Sequence, residues 1–279
     1  MNTYLLCFLP DGRAPRDSYY PSRATEGEWR RLPRRFLVSE NPELRDRQPF
    51  KAVHEQDVAW LSEVTADYAG DSSAYRAFAE GFAAGLEGTP VEAFEADAHE
   101  FLSTTRDARF DRPYAQLTYR PMVELVHYLQ SADFDVYLSS GLGRDFMRAV
   151  CEEIYGIPRA MAIGSSVTFE YAEDAQGVAQ VVRSREIEQP ADDGPGKPVH
   201  IHRAIGRRPI MAAGNSSGDV YVLKYATGHS GGALGLLVHH DDAEREYAYD
   251  GGAEKALRLA ATEGWIVVSM KDDWNTIFA

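Results

Sequence analysis

Arg208–Asp219 reads RPIMAAGNSSGD. The first half is a short apolar run bounded by proline, and the second is a glycine-asparagine turn closed by serines, glycine and Asp219. The residues that follow, VYVLKYA, recur with helical spacing. A buried strand that stops in small polar residues just before a helix is the repeating unit of a parallel α/β sheet. On such sheets ligands bind beyond the carboxyl ends of the strands, so the turn at Gly214-Asn215 is a place to look for chemistry.

The same unit recurs outward from this stretch. Upstream, PMVELVHYLQSAD predicts a helix, FDVYLSSG a short buried strand and GRDFMRAVCEEIYGI a helix. AMAIGSSVTFEY and VAQVVRSRE read as strands, and GKPVHIHRAIG as a short helix. Downstream, ALGLLVHH predicts a strand, EKALRLAATEG a helix and WIVVSM a strand. The expected class from Pro113 onward is therefore α/β with a parallel sheet. Between about Pro42 and Thr105 the texture is helical instead: VAWLSEVTADY, SAYRAFAEGFAAGL and VEAFEADAHEFL each space apolar residues at i, i+3 and i+4. Turn and cap chemistry at Gly70–Ser73 and Glu87–Pro90 separates these helices.

Composition narrows the partners. The 279 residues carry a formal charge of −14, which disfavours nucleic acid and anionic membrane surfaces alike. No stretch approaches the ~20 apolar residues of a membrane span, and Met1-Asn2-Thr3 lacks the basic start of a signal peptide. Two cysteines, Cys7 and Cys151, are expected to be reduced, and the expected location is the cytoplasm. The charge is uneven, since residues 1–50 hold nine arginines, no lysine, seven acids and six prolines, and sum to +2. Residues 10–35 show no sustained period.

Three features fall at expected strand ends or helix starts. Leu138-Ser139-Ser140-Gly141 ends a strand in small residues, which lets a hydroxyl and backbone N–H groups approach an anion. A plain βα turn uses the same residues. Gly194-Pro195-Gly196-Lys197 holds a lysine in a turn, suited to phosphate charge or simply to solvent. Asn215 and Asp219 are oxygen donors at a spacing suited to a hard cation such as Mg²⁺. The same pair reads equally as an Asx turn followed by an N-cap.

In this order and spacing the three features resemble motifs two, three and four of the haloacid-dehalogenase (HAD) superfamily, in its phosphoserine-phosphatase-like branch. The resemblance covers roughly residues 40–279. It implies a Rossmann-like parallel-sheet core over 113–279, a helical cap inserted over 39–112, and hydrolysis of a small phosphorylated metabolite with Mg²⁺. It further implies that Ser140 and Gly141 bind phosphate and that Lys197 steadies phosphate and nucleophile, with Asn215 and Asp219 at the metal. Asn215 stands where many such phosphatases carry Asp, and brings a carbonyl ligand without charge.

Motif one of this superfamily is a hydrophobic strand ending in DxDGT, whose first Asp attacks phosphorus and whose second is general acid and base. The matching stretch here is Leu5–Arg13, LLCFLPDGR. Leu9 takes the nucleophile's place, Asp11 the acid/base and metal-proximal position, and Arg13 the threonine's. Loss of a nucleophile costs on the order of 10⁶ in turnover in a well-studied hydrolase. Two accounts of residues 1–38 stay open: a degenerate motif-one region, or a frameshifted or mis-started one, as the Arg- and Pro-rich composition suggests. The resemblance thus implies either an impaired phosphohydrolase or a HAD-fold protein that binds phosphate or metal without turnover.

Other candidate residues read as structural. His200-Ile201-His202 lacks a further ligand set nearby in sequence, and His239-His240-Asp241-Asp242 reads as a solvated strand end or cap. Cys151, Trp265, Trp274 and Phe278 read as packing.

Overall fold

The computed structural model describes residues 2–6 (backbone), 45–55, 57, 60, 73–107, 109–141 and 143–279. Leu9, Asp11, Arg13, Cys7 and most of VAWLSEVTADY lie outside the described residues. The chain divides into two compact units.

The first unit comprises Met1–Asp11, Ala98–Ser165 and Pro190–Ala279. Its centre is a six-stranded sheet of β1 (Asn2–Leu6), β2 (Phe134–Ser140), β3 (Ala162–Gly164), β6 (Met211–Gly214), β7 (Leu234–His239) and β8 (Ile266–Ser269). The order is β3-β2-β1-β6-β7-β8, and every neighbouring pair is parallel. The expectation of a parallel α/β sheet is thus met.

The alternation of side chains along each strand builds two cores, one on each face. Val136, Leu138, Ala162, Met211, Ala213 and Val238 join Met122, Val126 and Leu129 of α4 (Arg120–Ser131) in one cluster. Met147 of α5 (Arg144–Arg148) and Cys151 and Tyr155 of α6 (Cys151–Tyr155) complete that side. The intervening strand residues Ile163, Ala212 and Leu237 face the opposite way. They pack with Ile201 of α7 (Gly196–Ile205), Val222 and Leu223 of α8 (Val220–Thr227), and Ala256 and Ala260 of α9 (Glu254–Glu263). Ile157, Ile201, Leu223 and Leu237 are wholly buried, and each such side chain contributes roughly 1.5–3 kcal/mol of transfer free energy. Trp265 and Trp274 are buried in the two clusters and Phe278 packs against one of them, as expected for packing residues. Burial also raises the Cys151 thiol pKa above its usual value.

The second unit comprises Gly12–Asp97 and Ser166–Gln189. It contains α1 (Phe50–Glu55), α2 (Ser73–Gly85), the start of α3 (Val91–Thr104) and an antiparallel hairpin of β4 (Val167–Glu173) and β5 (Ala179–Ile187). The sequence places AMAIGSSVTFEY on one strand, but it divides into β3 of the sheet and β4 of the hairpin. The physical reason is visible in TFEYAE and QVVRSRE: strands this polar cannot lie in a sheet covered on both faces. GRDFMRAVCEEIYGI also divides, into α5 and α6, because Val150 leaves the helical region at φ −136°.

Among the described residues no helix is long and apolar enough to cross a membrane.

Candidate functional site

Register brings the candidate residues to one edge of the sheet. Leu6 of β1 pairs with Leu138 of β2 and with Ala213 of β6. Ser140 and Asn215, each two residues further, therefore stand level with one another on either side of β1. Two strand spacings separate them, roughly 10 Å.

The tightest part of the site is the turn after β6. Lys197 Nζ donates to Asp219 Oδ1 at 2.8 Å, with both side chains buried. Asp219 Oδ2 accepts from the backbone N–H of Asn215 and of Ser216, each at 3.0 Å, and from the Ser216 hydroxyl at 3.1 Å. Burial works to raise the Asp219 pKa, but the Lys197 charge and these hydrogen bonds outweigh it and hold the carboxylate below its usual range. Ser216 and Asp219 also form a capping box for the short helical turn at Ser217–Asp219. Asp219 thus caps as the N3 partner of Ser216, and as the residue before α8 it makes no side-chain cap bond to that helix.

Glycine makes this geometry possible. A Cβ on Gly214 would lie 2.4 Å from Asp219 Cβ, so any side chain there would push the carboxylate off its donors. Gly196 plays a similar part before Lys197, where a Cβ would sit 1.9 Å from the Ala191 carbonyl oxygen.

Beside this pair lies a residue that sequence reasoning passed over. Asp192 is fully buried, and its Oδ2 accepts from the Ser139 hydroxyl at 2.8 Å. Its backbone N–H donates to Ser165 Oγ at 2.8 Å, and its Oδ1 is buried without a hydrogen-bond partner. Burial pushes the Asp192 pKa up to about 6, although the Lys197 charge, the Ser139 hydroxyl and His200 all pull it down. Asp192 therefore links the end of β2 to the start of α7. Nothing local in ADDGPGK marks it, because its partners are Ser139 and Ser165.

Ser140 is buried at the end of β2, and its carbonyl oxygen accepts from the Ser165 N–H at 3.2 Å. Gly141 follows it. Lys197, Asp219 and Asn215 are brought together directly. Asp11 falls outside the described residues.

Asn215 is buried, and its amide nitrogen donates to Tyr249 Oη at 2.9 Å and lies 3.3 Å from His240 Nε2. His240 is buried too, with Nδ1 at 3.2 Å from Glu246 Oε2. Sequence reading takes the His239–Asp242 run as a solvated strand end or a cap; His240 at 2 % and Asp242 at 4 % exposed are buried. The strand turns inward here because Tyr249 pairs with His240 through an isolated β-bridge and stacks on its ring at 4.5 Å. Asp242 does serve as a cap: it accepts from the N–H groups of Glu244 and Arg245. His200 meets the Pro190 carbonyl at 2.6 Å, and His202 is exposed.

Asn215 Oδ1 carries no hydrogen bond among the described residues, and a neutral carbonyl oxygen of this kind suits a hard cation. Asp219 sets negative charge beside it but already serves four donors. Among the described residues there is no group of three or more His, Cys, Asp or Glu that could hold a metal ion. Asn215 thus fits as one ligand of a cation, not as a complete site.

No family model matches the chain, and no curated protein matches it. Among solved structures it is similar to a conserved, functionally unknown protein from Anaerococcus prevotii, at 18% identity and a TM-score of 0.45. That match covers 70% of this chain, which spans 59% of the other's length. It is also similar to a phosphoserine phosphohydrolase-like protein from Francisella tularensis, at 14% identity and a TM-score of 0.45 over 93% of each chain.

Proposed function

We propose that this chain carries a HAD-type phosphomonoester site: Mg²⁺-dependent, directed at a small phosphorylated metabolite, and impaired in hydrolysis by the leucine at position 9. The observation that supports it best is the buried Lys197–Asp219 pair beside Asn215 at the carboxyl edge of a parallel sheet. A buried ion pair is seldom a net gain in stability, since desolvation of two charges offsets their attraction. Its presence at a strand end is better explained by a need for a fixed cation.

In this reading Lys197 is held by Asp219 so that its ammonium faces a phosphate without losing its place. The Ser140 hydroxyl and the backbone around Gly141 take phosphate oxygens at the level of Asn215. Asn215 would hold Mg²⁺ through its open carbonyl oxygen, with Asp219 setting negative charge beside it. The bound ion would screen the incoming phosphate's charge. Asp11 stands at the acid/base position, and the helical residues 39–112 act as a cap that excludes water. The expected location remains the cytoplasm.

A second reading is favoured by Leu9, which has no lone pair with which to attack phosphorus: a HAD-fold protein that binds phosphate and metal without turnover. Release of phosphate from an aryl phosphate with Mg²⁺ separates the two. Residual turnover that Lys197→Ala abolishes supports an impaired enzyme. No turnover in the wild type, with activity gained in Leu9→Asp/Arg13→Thr, supports binding without catalysis. Absence of phosphate binding in both proteins overturns the proposed site.

A further inference from the structure

Asn215 belongs to a second network that the proposed chemistry does not use. Its amide nitrogen approaches two groups, Tyr249 Oη at 2.9 Å and His240 Nε2 at 3.3 Å. The other ring nitrogen of His240 faces both oxygens of Glu246, at 3.3 and 3.2 Å. Glu246 in turn accepts from the Tyr119 hydroxyl at 2.7 Å. His240 is 2 % exposed, Glu246 4 % and Tyr119 5 %.

The order of donors and acceptors along this chain follows from the inventory of each group. The structure turns the amide nitrogen of Asn215, a donor, to His240 Nε2. That arrangement casts Nε2 as the acceptor and leaves Nδ1 to donate to Glu246. The second amide hydrogen goes to Tyr249 Oη. Both hydrogens of the Asn215 side chain are thereby engaged, and Oδ1 carries no hydrogen bond among the described residues.

We propose that Glu246 and His240 are positioning residues, which fix the Asn215 amide so that its carbonyl oxygen is turned to the site. This deepens the reading above, on which it rests for the cation. It gives a reason for asparagine at this position. A carboxylate would set an acceptor against the acceptor Nε2, whereas an amide satisfies the histidine and still offers one oxygen outward. The pattern is that of a carboxylate and histidine acting behind a ligand, here with a neutral oxygen in front.

The test reads the histidine directly. Long-range ¹H–¹⁵N spectra of the full-length labelled protein report which His240 nitrogen is protonated, with His240→Gln assigning the resonances. The expected result is hydrogen on Nδ1 and a bare Nε2. Hydrogen on Nε2 in the wild type overturns the proposal, and this reading needs no variant to fold. In Glu246→Gln, which removes the fixed acceptor, His240 is expected to become a mixture of tautomers. Mg²⁺ affinity, titrated calorimetrically with the metal alone, is expected to fall about ten- to a hundredfold in that variant. A folded Glu246→Gln protein with unchanged Mg²⁺ affinity overturns the proposal. A wild-type protein that takes up no Mg²⁺ defeats the cation reading of the site, while the tautomer still decides the orientation of Asn215.

Discussion

Lys197 of α7 and Asp219, the residue before α8, form a buried ion pair 2.8 Å long that bridges two helices of one layer. Removing one member leaves the other charge stranded. Lys197→Ala is therefore expected to destabilise the protein by about 3–5 kcal/mol in denaturant unfolding. Lys197→Met/Asp219→Asn, which removes both charges, is expected to recover much of that loss while phosphate binding stays abolished. Equal instability of the single and double variants would count against the pair as the source of the effect.

Asp192 and Asp219 respond to pH in opposite senses. Asp192 is raised from the ordinary carboxyl value of 3.8 to about 6, so the folded state holds a proton that the unfolded chain has already released. Its contribution to stability is present below the ordinary value and is lost as pH rises towards 6, a change on the order of 2–3 kcal/mol. Urea midpoints measured from pH 4 to 7 are expected to show this fall in the wild type and to lose it in Asp192→Asn. The same slope in both proteins would exclude Asp192 as its origin.

Asp219 is held below its usual range by Lys197 and its hydrogen bonds, against burial. Its contribution is present above the unfolded carboxyl value and disappears as pH falls through the lower folded one. Asp219→Asn is expected to lower stability at neutral pH and to approach the wild type in acid. Circular dichroism of thermal unfolding across the acid range is the measurement.

Gly214 admits no side chain, because Asp219 Cβ would stand 2.4 Å from the new atom. Gly214→Ala is expected to cost about 1–3 kcal/mol, the range for overpacking, and to weaken phosphate binding through the displaced carboxylate. Inorganic phosphate titration on the folded fraction checks the second effect.

Ser140→Ala is expected to weaken inorganic phosphate binding, which titration of the folded protein checks. A stability loss comparable to that of Lys197→Ala would mark Ser140 as structural.

The strands and helices after residue 113 were legible because a doubly covered parallel sheet leaves a plain mark: short apolar runs such as IMAA and LGLLV, each ending in small or polar residues. Asn215 was legible because it follows such an end directly, whereas Lys197 and Asp219 were read from turn chemistry at the starts of α7 and α8. The break at Val150 was not, since the apolar spacing of DFMRAVCEEIY runs across it unchanged. Nor was the hairpin, until its polar outer positions were set against the burial of the main sheet. The burial of His240 was not legible, because its partners at 119, 215, 246 and 249 are gathered by the fold. Asp192 was hidden for the same reason, its hydroxyl partner Ser139 lying on β2.

Strand β1 sets an order on assembly. Among the described residues it alone joins the β3-β2 half of the sheet to the β6-β7-β8 half, and its partners begin at residues 134 and 211. As the chain is made this strand precedes both partners, and it can be seated on both sides only after residue 211 has emerged. Such long-range closure is slow, and the two half-sheets carry unpaired edges until it happens. Changes in β1 should therefore show themselves first in folding yield, before any effect on the finished site.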